Sequence, residues 1–136
     1  MDIKNSKTVQ TLAAALKMRE MRMEVIASNI ANAETPGYKA KRLDFEDALQ
    51  RAIDVDGNLS MKSQDGRHFN VGSGGFNNLE PRVYEDPSGV VSPNGNTVNR
   101  EQEMVRMQDN RLMYDAAVQL LNKKLGQMKY VLSTEK

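Results

Sequence analysis

The sequence contains no cysteine and no tryptophan, a single histidine and few aromatic residues. Without cysteine the chain forms no disulfide, offers no thiolate nucleophile and holds no cysteine-ligated zinc. Its one histidine, His68, excludes a multi-histidine metal site within one chain. Apolar residues are also scarce, since Leu, Ile, Val and Phe make up 29 of 136 residues. That share is close to the roughly 20% below which chains seldom fold around a core, so we expect one modest domain with a thin core.

A surplus of charge is missing as well, because 19 Lys and Arg balance 18 Asp and Glu. A net charge of +1 provides no overall field for a polyphosphate, which argues against nucleic acid as a partner. The longest apolar run near the start, residues 12–16, is too short for a signal-peptide core and far below the ~20 residues that span a bilayer. We therefore expect no membrane span and no cleaved secretory signal.

Glycine and proline are concentrated in the middle of the chain. Residues 54–97 hold seven of the nine glycines and three of the four prolines, and only 11 of these 44 residues are hydrophobic, against 42 of the other 92. This composition predicts a loop or small extended region between helical ends. The chain accordingly divides into an N-terminal helix and turn (1–38), a short helix (39–53), the loop-rich middle (54–97) and a C-terminal helix (98–136), with the two ends forming one assembly domain.

The N-terminal segment has the heptad spacing of a long helix. We expect it over residues 8–33, because Pro36 disfavours helix at Thr35 and Pro36-Gly37 is typical of the centre of a type II turn. A short helix over residues 45–53 follows, with Asp44 as its predicted N-cap. Arg19 interrupts the apolar seam of the first helix, which comprises Val9, Leu12, Leu16, Met23, Ile26 and Ile30.

The C-terminal segment repeats this pattern over four heptads, with Asn99 as the predicted N-cap and Gln102 three residues later. From residue 99 to 132 the helix would be roughly 50 Å long. Its seam is interrupted by Arg111 and comprises Met104, Met107, Tyr114, Val118, Leu121, Leu125, Met128 and Leu132.

Two such seams predict a mainly α fold in which the long terminal helices pack as a coiled-coil-like pair. Small residues off the seams would permit close approach by further helices and so favour self-association. Arg19 and Arg111 have two interpretations. Either their stems pack while the guanidinium groups reach the edge, or they fix register by pairing with a carboxylate on a neighbouring helix or subunit.

No segment has a convincing pattern for catalysis or ligand binding. His68 is interpreted as a loop histidine, and the Gly-Ser-Gly-Gly run at 72–75 as linker, because it lacks the Gly-Lys-Ser/Thr ending of a phosphate loop. The nine methionines suit soft metals, but several lie on the seams, where methionine is an adaptable packing residue. We therefore predict no catalytic residue, no cofactor, no metal and no small-molecule substrate.

The end of the first helix carries a distinctive run, Asn-Ile-Ala-Asn-Ala over residues 29–33 and Thr-Pro-Gly-Tyr over 35–38. This run resembles the signature of the bacterial flagellar basal-body rod proteins. The Thr-Pro-Gly-Tyr ending, Asp44-Phe45, and Asn-Gly-Asn-Thr-Val-Asn over 94–99 look most like the proximal member of that family. Glu34 and Asn94 depart from the pattern, because Asp is expected at both positions.

The resemblance implies a structural, non-enzymatic subunit that is exported through the flagellar type III apparatus and polymerises by packing its terminal helices. The resulting tube would surround the export channel and transmit torque. Its implied partners are copies of itself, paralogous rod proteins, the adaptor protein FliE and the export gate at the rod base. The predicted subunit-interface motif comprises Asn29, Ile30, Asn32, Ala33, Thr35, Pro36, Gly37 and Tyr38.

Three other hypotheses fit parts of the sequence. Another rod-family paralogue would share the helix-end motif. A stand-alone coiled-coil adaptor would suit the same heptads, and would form a discrete dimer. An enzyme built in the glycine-rich middle would require a ligand that protects that segment.

Overall fold

The computed structural model describes residues 7–57, 76 and 79–134. The elements follow in the order α1 (Lys7–Ala31), β1 (Lys41–Asp44), α2 (Glu46–Gly57), β2 (Arg82–Glu85) and α3 (Arg100–Thr134). Helices α1 and α3 pack against each other in opposite directions, since α1 residue Asn29 bonds to Glu103 and Glu20 to Tyr114. The predicted mainly helical fold with two packed terminal helices is confirmed.

Helix α1 ends two residues earlier than the expected 33. Asn32 closes it, because its side-chain Nδ2 donates to the Ser28 carbonyl at 2.8 Å. The turn after it has the geometry predicted for Pro36-Gly37: Tyr38 N donates to Thr35 O at 3.2 Å and Gly37 has a φ of +74°. A positive φ at the third position is what a type II turn requires.

Strands β1 and β2 form an antiparallel ribbon, with Lys41 opposite Glu85 and Leu43 opposite Val83. Strand β2 is a small extended element in the middle segment, as expected there. Strand β1 lies in a segment for which only a short helix was predicted. Its single buried apolar residue, Leu43, does not make the alternation that marks a strand.

The prediction of Asp44 as the N-cap of the short helix is wrong. Asp44 is the last residue of β1, and its carboxylate raises the pKa of the Tyr84 hydroxyl. Pairing of β1 with β2 therefore takes Asp44 away from the helix. Helix α2 begins at Glu46 rather than residue 45, with Leu49 N donating to the Phe45 carbonyl at 2.8 Å and Glu46 Oε2 accepting from Phe45 N at 3.1 Å.

The apolar core is small and lies between α1, β1 and α2. Met18, Leu43 and Phe45 are its buried centre, and the residues packed against them are Met21, Val25, Leu49 and Leu79. Met18 is off the seam that faces α3. Helix α1 thus has two packing faces, one toward α3 and one toward the ribbon and α2.

On the α1–α3 contact, Ile26 is buried, whereas most other predicted seam residues are half-buried. The fully buried residues of α3 are instead polar, Glu103 and Asn110. Met104 and Leu132 are exposed, at 52% and 39%. At the start of α3, Glu103 rather than Met104 faces α1. Among the described residues, no helix combines the length and the apolar character that crossing a bilayer demands.

Candidate functional site

The turn after α1 and the segment before α3 dock onto each other, and we call residues 29–40 together with 94–103 the junction. Gly37 N donates to Asn94 O at 2.9 Å, and Thr97 N to Tyr38 O at 3.0 Å. Ala40 N donates to the buried Thr97 hydroxyl oxygen at 2.8 Å. The junction therefore joins two segments that lie about 60 residues apart in sequence.

Asn29, with none of its surface exposed, is the centre of the junction. Its Nδ2 donates to Lys41 O at 2.8 Å and to Glu103 Oε2 at 3.1 Å. Its Oδ1 accepts from Lys41 N at 2.9 Å and from the Tyr38 hydroxyl at 3.3 Å. An amide has two N–H donors and two acceptor lone pairs, so Asn29 uses its full capacity. Neither a carboxylate nor an apolar side chain would match this pattern.

Glu103 is a buried carboxylate held by opposite charge. Arg42 Nη1 lies 2.6 Å from Glu103 Oε1, and Arg42 Nε lies 3.0 Å from Asp86 Oδ2. These two contacts are ion pairs by distance, without hydrogen-bond alignment. A buried carboxylate is costly unless it is paired, so Arg42 ties the start of α3 to the ribbon.

Asp86 at the end of the ribbon stays ionised readily. Hydrogen bonds from the Ser88 hydroxyl and the Ser88 N–H, at 2.6 and 2.9 Å, lower the pKa of its carboxyl, and the charge of Arg42 adds to the effect. The ribbon therefore presents a negative charge to Arg42.

Asn96 is the second buried amide of the junction, 1% exposed. Its Nδ2 donates to the carbonyls of Asn32 and Thr35, both at 2.8 Å, and its Oδ1 accepts from Val98 N at 2.7 Å. Carbonyls at the end of a helix lack partners within the helix. Asn96 thus satisfies the turn after α1 from the opposite side of the junction.

A glycine backbone is required where the two turns meet. Gly95 has a φ of +81°, and a Cβ at this position would lie 3.4 Å from the Gly37 Cα. Both features favour glycine there.

The predicted interface motif has an inner and an outer side. Asn29 is buried, and Ile30, Asn32, Ala33 and Tyr38 are half-buried within the chain. The outward side is Thr35, Pro36 and Gly37, all exposed. Within one chain, the two asparagines of the motif are used for internal hydrogen bonds.

The two arginines that interrupt the seams have different surroundings. Arg19 Nη1 donates to Asn110 Oδ1 at 3.2 Å, and its guanidinium carbon lies 5.3 Å from the centre of the Phe45 ring. Arg111 is exposed. Nearby, the Tyr114 hydroxyl donates to Glu20 Oε1 at 3.0 Å, which raises the pKa of Tyr114.

Four residues that organise the helix contact were not predicted from the sequence, namely Arg42, Asn96, Glu103 and Asn110. One signal was available, because Glu103 and Asn110 are seven residues apart and so lie on one side of a heptad helix. The described residues contain no cluster of acidic or histidine side chains suited to a metal ion. His68 and the glycine-rich run at 72–75 lie outside the described residues.

Comparison with known proteins independently supports the resemblance to the flagellar basal-body rod proteins. The profile of the family described as "Flagella basal body rod protein" matches residues 10–39. Three similar proteins from different bacteria are all called flagellar basal body rod protein FlgB. The one from Cereibacter sphaeroides is 40% identical over 116 residues, which cover 84% of each chain. The one from Bacillus subtilis is 33% identical over 94% of this chain and 95% of its own. The one from Salmonella typhimurium is 33% identical over 87% of both.

Proposed function

Because the chain belongs to the flagella basal body rod protein family, whose members are structural, we propose that it is a subunit of the proximal rod that polymerises by packing its terminal helices. The subunits form the tube that transmits torque and surrounds the export channel. The junction supplies the rigid unit for this role, since Asn29, Arg42 and Asn96 hold α1, the ribbon and α3 in one arrangement.

The observation that carries the proposal is the apolar surface left on α3. Its exposed apolar side chains, each more than half accessible, are Met104, Val105, Leu112, Met113, Leu120, Tyr130 and Val131. Large exposed apolar area on a folded chain marks a surface for protein contact. In a rod these contacts would be head-to-tail, because heterologous contacts can build an open filament whereas isologous contacts close a dimer.

The subunit-interface motif contributes a contact surface to this assembly. Its outward residues Thr35, Pro36 and Gly37 are exposed at the end of α1, where a neighbouring subunit can reach them. The partners are copies of this chain, paralogous rod proteins, and FliE and the export gate at the base. The protein acts outside the cytoplasmic membrane without catalysing a reaction, and reaches the rod through the type III apparatus.

The test is a deletion strain that is scored for motility and for hook formation, with purified basal bodies probed for this chain. We expect loss of both phenotypes, recovery on complementation, and the chain in the basal bodies. A motile deletion strain, together with a purified chain that forms only a discrete dimer, would favour the coiled-coil adaptor instead.

A further inference from the structure

A cleft of about 420 Å³ lies between α1, α3 and the ribbon, next to the junction. Its charged lining is mostly positive. Five cationic side chains and two carboxylates border it: Arg19, Arg22, Lys41, Arg42 and Arg106, with Asp44 and Asp109.

Two of these arginines already have carboxylate partners within the chain. Arg22 Nη2 lies 2.7 Å from Glu46 Oε1 and its Nε donates to Leu43 O at 3.0 Å. Arg42 is held by Asp86 and Glu103. Their charges are therefore largely compensated.

Arg19 differs from both. Within residues 7–57, 76 and 79–134, its guanidinium makes one hydrogen bond, to Asn110, and no carboxylate lies within ion-pair distance. Burial and the neighbouring Arg22 charge lower the pKa of Arg19, and the Glu46 carboxylate offsets only part of this effect. An added carboxylate close to the guanidinium would therefore stabilise the cation.

The Arg19 side chain is also held in place. Asn110, which is 3% exposed, donates from Nδ2 to the Arg19 carbonyl at 2.9 Å while its Oδ1 accepts from Arg19 Nη1. Asn110 thus holds both the backbone carbonyl and the guanidinium group of Arg19. The remaining N–H groups of a guanidinium fork match the two oxygens of a carboxylate.

We propose that this cleft receives an acidic side chain of a neighbouring rod subunit, and that Arg19 binds its carboxylate. The proposal rests on the rod function given above. Charge complementarity selects an acidic partner. Because a helix is ~10 Å across, a cleft of about 420 Å³ admits a side chain or the tip of a loop rather than a helix.

The first test compares Arg19→Gln with Arg19→Lys, each expressed from the native locus. Arg51→Gln is the matched control, because Arg51 is an exposed arginine of α2 away from the cleft. We expect Arg19→Gln to lower the amount of this chain in purified basal bodies about tenfold, the effect of one lost charged hydrogen-bonded pair. Arg19→Lys should retain most of the incorporation and Arg51→Gln all of it.

Circular dichroism and thermal unfolding of the purified variants separate binding from folding. Equal helicity of Arg19→Gln and wild type is expected. Normal incorporation of Arg19→Gln would overturn the proposal, whereas absence of the wild-type chain from basal bodies would overturn the rod function itself.

A second test identifies the partner directly, whatever the stability of Arg19→Gln. A photo-crosslinking amino acid replaces Met113, which lines the cleft and is 55% exposed. In assembled basal bodies, we expect crosslinked peptides of a neighbouring subunit with Asp or Glu within about two residues of the crosslink, since a side chain reaches only its near neighbours. The mass of the peptide tells a second copy of this chain from another rod protein. Crosslinks confined to non-acidic segments would contradict the assignment.

Discussion

Asn29 joins α1, β1 and α3 through a single amide group, and two other buried amides also connect segments that are distant in sequence. Asn96 bonds the turn after α1 from the α3 side, and Asn110 bonds both the backbone and the side chain of Arg19. Apolar contacts between two helices tolerate small shifts along their axes, whereas directional hydrogen bonds from buried amides do not. These three residues therefore set the register between the terminal helices.

Replacement of Asn29 tests this role. We expect Asn29→Ala to lower the free energy of unfolding by about 2 to 4 kcal/mol, because Glu103 and the Lys41 backbone would lose partners in a buried site. Asn32→Ala is the matched control, since Asn32 is more exposed and its side chain bonds only to its near neighbours Ser28 and Thr35. It should cost about 1 kcal/mol or less. Thermal and urea unfolding measure both, and equal losses would contradict a special role for Asn29.

These amide contacts were beyond sequence reasoning for a definite reason. Asn29 and Glu103 are 74 residues apart, and Arg19 and Asn110 are 91 apart. Local patterns carry no information on pairing over such distances. The run at the end of α1 identified Asn29 as a candidate interface residue, but the hydrogen bonds of Asn29 within the chain depend on the tertiary fold.

Among the secondary-structure elements, the three helices were predicted from the sequence and strand β1 was not. Helices α1 and α3 extend over 25 and 35 residues, long enough for several heptads to define their period. Strand β1 has four residues, and only Leu43 among them is apolar. Its pairing with β2 crosses the glycine-rich middle of the chain, and this pairing also displaced the predicted N-cap Asp44.

The N-cap of α3, unlike that of α2, was predicted correctly, because the predicted residue does bond to the helix. Asn99 Oδ1 accepts from Gln102 N at 3.2 Å. We expect Asn99→Ala to cost about 1 kcal/mol of stability, the usual effect of losing an N-cap side chain. Asn99→Asp should cost almost nothing, because a carboxylate caps equally well and complements the helix dipole. Thermal unfolding decides, and the prediction is wrong if the two variants lose the same stability.

For the whole molecule, the scarcity of apolar residues agrees with the small size of the buried core. Met18, Leu43 and Phe45 form its centre, while α3 keeps much of its apolar surface accessible. Helix α3 has 35 residues and α1 has 25, so α3 is longer by about 15 Å at a rise of ~1.5 Å per residue. Contacts with other subunits would bury the surface that one chain leaves open.

Substitutions of two adjacent leucines of α3 distinguish an effect on folding from an effect on assembly. Leu121 is half-buried on the predicted seam, and Leu120 is 56% exposed. Leu121→Asp should lower the stability of the isolated chain by about 2 kcal/mol, because it places a charge in the helix contact. Leu120→Asp should change that stability by at most about 1 kcal/mol.

In cells, however, both variants should lose motility and be depleted from basal bodies, because a new charge on Leu120 would lie in the contact between subunits. Gln119→Asp, an exposed substitution on the same turn, controls for the added charge and should leave motility intact. Swimming assays and immunoblots of basal bodies report assembly, and circular dichroism reports folding. A motile Leu120→Asp strain with normal rods would mean that this part of α3 faces solvent in the rod, and the contacts between subunits would then have to lie on its other side chains.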